Sequence, residues 1–299
     1  MSPAGNAGLE GLLLVDKPAG PTSHDIVAWV RRATGQRRVG HTGTLDPPAS
    51  GLLVLALGRA TRLIRFLPAA PKIYEGSIAL GLTTVTDDLS GEVLERSADP
   101  LPGFDAVREA ARAFLGLQSQ VPPAVSARKV GGERLYRLAR QGRFVEAPPS
   151  EIEVYRFELL PGTEEGRIAF RADVSTGTYI RSLARDLGAR LGCGAALAEL
   201  RRTAIGPFEL ASAVAPPEKG QSEWKPPTTI PLDRIPLTLP ATEIGPGDLD
   251  RYAHGTAVPA PPGIAGWVRV VSAEGHLLGL GEVVEGLLTP RVVLIDPAG

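Results

Sequence analysis

The chain has 299 residues, 43% apolar and 22% charged, with a formal net charge of −1. That balance is ordinary for a soluble globular protein and excludes a partner held by overall charge alone, so evidence for a nucleic acid must be local. One cysteine, Cys193, excludes an intramolecular disulfide and a multi-cysteine metal site.

Cys193 reads as a small buried residue in a reducing compartment. The opening MSPAGNAGLEGLLLVDKP lacks the basic start and long apolar core of a signal peptide. No apolar run reaches the ~20 residues of a membrane span, so a cytoplasmic protein without a membrane partner is expected.

In chain order, Leu12 to Val15 is a short apolar run closed by Asp-Lys-Pro and predicts a buried strand. Ser23 is placed to cap a helix through Trp29 that stops near Gly35, with Asp25 favourable in its first turn. The stretch GHTGTLDPPASG follows. Gly40 and Gly43 permit backbone conformations closed to other residues, and Pro47 biases Asp46 towards an extended backbone. A carboxylate fixed in such a turn can be a nucleophile, a general base or the partner of a developing cation. A turn aspartate bonded to its own backbone remains the alternative.

Leu52 to Leu57 is continuously apolar, and period alone does not separate helix from buried strand there. Residues 72–82 predict a strand, followed by a polar turn, TTVTDDLSGE. Val107, Ala110, Ala111, Phe114 and Leu115 have helical spacing within residues 104–116. The next segment is irregular and then helical from about Glu133. IEVYRFELL and RIAFRADV alternate and predict antiparallel neighbours around the turn PGTEEG. After Gly177, the stripe Ile180, Leu183, Ala184, Leu187, Leu191 predicts a helix.

At residue 214 the composition changes. VAPPEKGQSEWKPPTTIP predicts a proline-rich linker over 214–235. Residues 236–299 predict a small β-rich module: a helix in GDLDRYAHG ended by Gly255, then the runs GWVRVVS, LLGLGEVVE and RVVLI.

Several chemistries lack their motifs. There is no GxxxxGK[ST] loop, no HExxH, no glycine-rich dinucleotide fingerprint and no GxSxG elbow. The four histidines, His24, His41, His254 and His276, show no metal-ligand spacing. A reaction without redox cofactor or metal is expected. Arginine is concentrated in patches: Arg31, Arg32, Arg37 and Arg38 before the turn, and Arg59, Arg62 and Arg65 after it. A third patch holds Arg128, Lys129, Arg134, Arg137, Arg140 and Arg143, with Glu133 the acid among them. Guanidinium forks suit phosphate oxygens and stack on bases, so a polyanionic partner and plain solvated helix faces both remain open.

GHTGTLDPPASGLLVLALGRATR resembles the catalytic motif of the TruB family, the bacterial tRNA pseudouridine-55 synthases. Other segments resemble the family in the same order: VDKPAGPTSHDIVAWVRR, KIYEGSIALGLTTVTDDLSGEV, QVPPAVSARKVGGERLYRLARQG and STGTYIRSLARDLGARLGCGAALAELRRTAIGPF. The resemblance covers nearly all of residues 11–213, and more weakly the C-terminal module, which is similar to a PUA-type domain. It implies an α+β fold: a catalytic domain over 1–213 around a large mixed, mainly antiparallel sheet, with an RNA-gripping insertion at about 118–148. A small β-rich PUA-like domain over 236–299 follows.

The implied reaction converts a T-loop uridine of tRNA to pseudouridine, with no cofactor, no metal and no guide RNA, in a monomer. Breaking the N1–C1′ bond builds positive charge at C1′, where a carboxylate helps, as in glycosidases. By motif position the resemblance makes Asp46 catalytic and Arg181 its partner, Tyr74 the ring that stacks on the flipped base, and His41 the residue that supports the vacated space. From the residues alone, alternation favours a core tyrosine at 74, and a lone histidine in a glycine turn reads as structural. It puts Leu200 along the uracil pocket and Tyr179 beneath it, although simple helix packing of Leu200 stays open. Lys17, which braces the catalytic turn, and Arg202 join Arg128, Lys129, Arg134, Arg137, Arg140 and Arg143 as candidate RNA contacts. Two features depart from the family: Val125 stands where an aromatic is usual, and from Ala241 onward seven acids face three arginines. The second counts against phosphate gripping by the C-terminal module.

Overall fold

The computed structural model describes residues 9–126, 128–162, 164 and 166–296; the first eight residues and two positions of the PGTEEG turn lie outside it. The chain opens with β1 (Gly11–Lys17) and α1 (Ser23–Thr34), then β2 (Val39–Thr42) and β3 (Ser50–Leu57). After a 3-10 segment (Gly58–Phe66) come β4 (Lys72–Leu80) and a small hairpin, β5 (Leu82–Thr84) with β6 (Val93–Arg96). Next are α2 (Phe104–Ala111), β7 (Gly116–Gln120), the hairpin β8 (Lys129–Val130) and β9 (Glu133–Arg134), and α3 (Leu135–Arg140). The N-terminal part finishes with β10 (Ser150–Pro161), β11 (Arg167–Val174), α4 (Ile180–Leu191), β12 (Ala195–Ile205) and β13 (Phe208–Glu209).

The large sheet runs β1-β3-β12-β4-β11-β10-β7, with β2 on β3 and β13 on β12. Every pairing is antiparallel except β3 with β12, where Ser50 and Gly51 lie beside Arg201 and Arg202. The expected mixed, mainly antiparallel sheet is present.

The continuous apolar run of β3 has a simple cause. Strand side chains alternate between faces, and both faces of β3 are covered. Leu52, Val54 and Ala56 enter one core with Leu12, Leu63 and Phe208, while Leu53, Leu55 and Leu57 enter another with Ile26, Val27 and Val30 of α1. In β11 only one face is covered, and burial alternates strictly along RIAFRADV.

Two local readings change. The cap of α1 is Thr22, not Ser23: Thr22 Oγ1 accepts from the Asp25 N–H (3.0 Å) and Asp25 Oδ2 accepts from the Thr22 N–H (2.8 Å). Such a capping box contributes about 1 kcal/mol. Residues 195–205, for which helix packing had stayed open, form a central strand; flanking strands on both sides override a composition of Ala, Leu, Glu and Arg.

The proline-rich segment is laid on the molecule. Val214 exchanges backbone hydrogen bonds with Leu14 and Asp16, and Ile230 does so with Leu12, all along the outer edge of β1. Beyond it are β14 (Ala241–Glu243), α5 (Pro246–Ala253), β15 (Val258–Pro259), β16 (Gly266–Val271), β17 (Leu277–Val284) and β18 (Leu287–Val293). Those five strands form one sheet, ordered β14-β16-β17-β18-β15, so the expected β-rich module is present. Arg59 and Arg62 donate to the Leu294 and Val293 carbonyls, and Arg65 lies over the rings of Phe66 and Trp267. The second arginine patch therefore joins the two halves. Among the described residues no helix is long and apolar enough to cross a membrane.

Candidate active site

Asp46 stands in the loop between β2 and β3. That loop is anchored from three sides, by residues that are themselves buried. Ser23, at the start of α1, donates to the Leu45 carbonyl (3.1 Å) and accepts from the Leu45 N–H (2.9 Å). This use of its hydroxyl explains why capping falls to Thr22. Lys17 has no exposed surface, and its Nζ donates to the carbonyls of Pro18 (2.9 Å), Pro21 (2.8 Å) and Pro47 (3.3 Å). Burial pushes its ammonium down to about 8. Arg202, also without exposed surface, donates from Nη2 to the Gly43 carbonyl (2.6 Å) and from Nε to that of Leu52 (2.9 Å). Lys17 and Arg202 thus clamp carbonyls on either side of Asp46. Neither can touch RNA, which corrects their assignment as contacts: a basic side chain in a motif signals charge, not depth.

Arg181, on the first turn of α4, is 5% exposed. Its Nη2 lies 2.8 Å from Asp46 Oδ2 and donates to the Val125 carbonyl (3.0 Å), while Nη1 donates to that of Thr86 (2.8 Å). Its Nε is 3.7 Å from Asp88 Oδ2. One guanidinium therefore ties the Asp46 loop to the segments around Thr86 and Val125. Asp88 was not foreseen. It is buried, and its Oδ1 accepts from Thr86 Oγ1 (2.7 Å), the Ser90 N–H (3.0 Å) and Ser90 Oγ. Its only sequence signal is the Asp-Asp pair of the polar turn. The neighbouring Asp87, raised by burial, pairs with Arg185 at 3.0 Å.

Two lobes open from Asp46 and Arg181. The smaller is lined by Leu200, Leu197, Leu89 and Ala49. The larger, about 880 Å³, runs between His24 and Thr44 on one side and Arg134, Tyr136 and Phe144 on the other. The Asp46 side chain is 43% exposed at their junction, and its Oδ1 has no partner among the described residues. The lobes and the ion pair leave one carboxylate oxygen open to a molecule that enters the cleft.

The remaining predicted residues separate into groups. Leu200 lines the smaller lobe. Tyr74, paired with Ala172 and Arg202 on β4, is 7% exposed within the core that also holds Leu45 and Ala49, and it lines neither lobe. His41 packs edge-on against His24 (ring centroids 5.3 Å apart), with its Nδ1 buried and unpartnered; burial, His24 and Arg202 lower its pKa. Tyr179 is half-buried and held at the start of α4 by Gln120, which accepts from its N–H (2.8 Å) and donates to its carbonyl (3.1 Å). Arg134 and Arg140 line the larger lobe; Lys129, Arg137 and Arg143 are exposed, and Arg128 bonds Ser150 Oγ (2.9 Å). Cys193 is half-buried rather than buried. Among the described residues no group of three or more His, Cys, Asp or Glu is placed to hold a metal ion.

Comparison with known proteins agrees with this geometry. The family described as TruB family pseudouridylate synthase (N terminal domain) matches residues 31–180. The tRNA pseudouridylate synthase B C-terminal domain matches 181–216, and the C-terminal domain of pseudouridine synthase II TruB matches 240–294. The tRNA pseudouridine synthase B of Thermobifida fusca (strain YX) is 44% identical over 292 residues, covering 95% of this chain and 98% of the relative. That of Acaryochloris marina (strain MBIC 11017) is 44% identical over 288 residues, with the same coverage. A chain of a Cbf5-Nop10-Gar1 complex superposes with a TM-score of 0.69 at 27% identity, covering 96% of this chain and 85% of that one. With an exposed aspartate on an arginine-clamped turn, and family matches that span both halves, the chain belongs to the TruB family of pseudouridylate synthases.

Proposed function

We propose that this protein converts a T-loop uridine of tRNA, position 55, to pseudouridine, with Asp46 as its catalytic carboxylate. The observation that carries this reading is the open Oδ1 of Asp46 at the junction of two lobes, with Oδ2 held by a buried arginine. A nucleotide inside a stacked loop cannot present its C1′ to that oxygen, so the base must be everted into the cleft. The N1–C1′ bond breaks with positive charge growing on the ribose, which the carboxylate stabilises. The uracil turns, C5 bonds to C1′, the proton on C5 leaves and N1 gains one, so neither redox change nor net hydrolysis occurs.

A single active carboxylate suffices, because no water needs activation; in glycoside hydrolysis the second carboxyl serves that purpose. Asp88 is already committed to Thr86, Ser90 and Arg181. Leu200 would border the uracil, Tyr74 would support the floor from the core, and Tyr179 would steady the start of α4. His41, backed by His24, would face the RNA loop from the β2 side. Among the described residues the arginines of α3 and its flanks have no carboxylate partner, and they would grip phosphates across the larger lobe. The enzyme would act as a cytoplasmic monomer without a guide RNA, with residues 1–213 catalytic, 214–235 a strap and 236–299 a PUA-like accessory module.

The test is tritium release from C5-labelled uridine in a tRNA transcript, using pure protein and no guide. Wild type should release tritium, while Asp46→Asn should release none and still bind the transcript. Free uracil or abasic product from wild type would point to hydrolysis and overturn the reading.

A further inference from the structure

Beside Gly43, three residues before Asp46, the chain collects positive charge that no described residue pairs with. Gly43 has φ +68°, and a side-chain carbon there would lie 3.3 Å from Arg202 Nη1 and 3.7 Å from Lys72 Nζ. Both cations thus crowd the bare backbone of the catalytic turn. Arg202 is wholly enclosed, and the Nη1 that faces Gly43 has no hydrogen-bond partner among the described residues. Lys72, half-buried at the first position of β4, has no side-chain hydrogen bond or ion pair among the described residues either. Burial and the Arg202 guanidinium push its ammonium down to about 8, and no carboxylate acts against them. The buried, unpartnered Nδ1 of His41 adds a further polar group near the same arginine.

Charges withdrawn from water are normally paired or committed to a ligand, because leaving them alone is costly. The RNA-modifying reading above supplies an anion at the right place, since every nucleotide that passes the catalytic turn brings one phosphodiester. We propose that Lys72, beside Gly43 and backed by the enclosed Arg202, seats one phosphodiester group of the substrate strand, next to the everted nucleotide. The arginine, held by Leu52 and Gly43, is a fixed charge beneath the backbone that adds its field without touching the phosphate. The lysine makes the contact, and the missing side chain at position 43 puts nothing between its ammonium and the strand. A phosphate pinned there sets where its ribose sits relative to Asp46 on the same loop, so the seat positions the reacting carbon without touching it.

The test uses the full-length protein and T-stem-loop hairpins, each with one neutral methylphosphonate at a phosphate flanking the target uridine. Affinity and single-turnover rate are measured for wild type, Lys72→Met and Lys72→Arg. One phosphate position should cost wild type about tenfold in affinity, the scale of a charge-assisted hydrogen bond. Lys72→Met should bind the unmodified hairpin about tenfold more weakly and lose nothing further from the methylphosphonate at that position. Lys72→Arg should recover both affinity and position dependence. The melting temperature of Lys72→Met should equal or exceed that of wild type, since an unpaired charge has been removed; a lower one, with binding lost, would make Lys72 merely structural and overturn the proposal. Equal methylphosphonate penalties in wild type and Lys72→Met at every position would also overturn it, while leaving the isomerase reading intact. Failure of wild type to isomerise the unmodified hairpin would remove that reading, and this seat with it.

Discussion

Replacing Arg181 with lysine keeps the positive charge beside Asp46 but removes the fork. The guanidinium reaches three chain segments at once: Nη1 to Thr86, and Nη2 to Val125 and Asp46. A single ammonium on a straight stem can stay with Asp46 only by leaving the two carbonyls. Each hydrogen bond from a charged donor contributes about 1.5–3 kcal/mol, which sets an upper bound of roughly 3–6 kcal/mol for the pair. Thr86 and Val125 both line the open cleft, so water can replace part of the loss. The expected destabilisation is about 2–3 kcal/mol. Asp46 keeps a cation, so the chemical effect comes from lost placement, and misplacement of about 1 Å can cost about a hundredfold in rate. Urea unfolding reads the first quantity and single-turnover tritium release from C5-labelled transcript reads the second. A lysine variant with the wild-type unfolding midpoint would show that the carbonyl bonds contribute nothing. One with the wild-type rate would show that the fork does not place Asp46.

At Gly51, φ is +100° and an added carbon would lie 2.3 Å from the Arg202 carbonyl oxygen and 2.7 Å from its nitrogen. Gly51→Ala should therefore lose more than about 3 kcal/mol by denaturant unfolding, and should lose activity as well because Arg202 holds Gly43. Trp267→Ala removes the ring that meets Phe66 at 5.0 Å and Arg65 at 5.3 Å. A loss of about 2 kcal/mol is expected, with separate melting of the C-terminal module in calorimetry. Lys72 gives a pH signature. Its pKa is about 8 in the folded chain, and near the ordinary lysine value once unfolded, so the unfolded state holds more protons between those values. Wild-type stability should gain on Lys72→Met as pH rises from about 8 to about 10.5, and denaturant midpoints that keep a constant difference across that window would refute it.

Much of the site was legible because its chemistry is local. A stiff glycine and proline turn around one carboxylate can be read from twelve consecutive residues, and the helix that brings Arg181 follows from its apolar stripe. Depth was not legible. Lys17 and Arg202 look like surface cations in the sequence, yet each is enclosed by backbone from distant segments: Pro47 for one, Leu52 and Gly43 for the other. Tyr74 differs: alternation favours a core tyrosine, and its ring is buried on β4, whereas the stacking role comes from the resemblance alone. The strand at 195–205 was hidden because its residues favour helix while its neighbours β3 and β4 require a ladder. Asp88 lacked any distinguishing pattern, and its role follows from a contact with a helix more than ninety residues away in the chain.

The strap over residues 214–235 has a consequence for anyone who shortens this protein. It occupies the free side of the first strand through Val214 and Ile230. Cutting the chain at residue 213 would uncover a row of bare amide and carbonyl groups ready to pair with another molecule. Such a truncate should self-associate whatever happens to its chemistry, so a minimal catalytic fragment should extend past Ile230 and not stop where the catalytic motifs end.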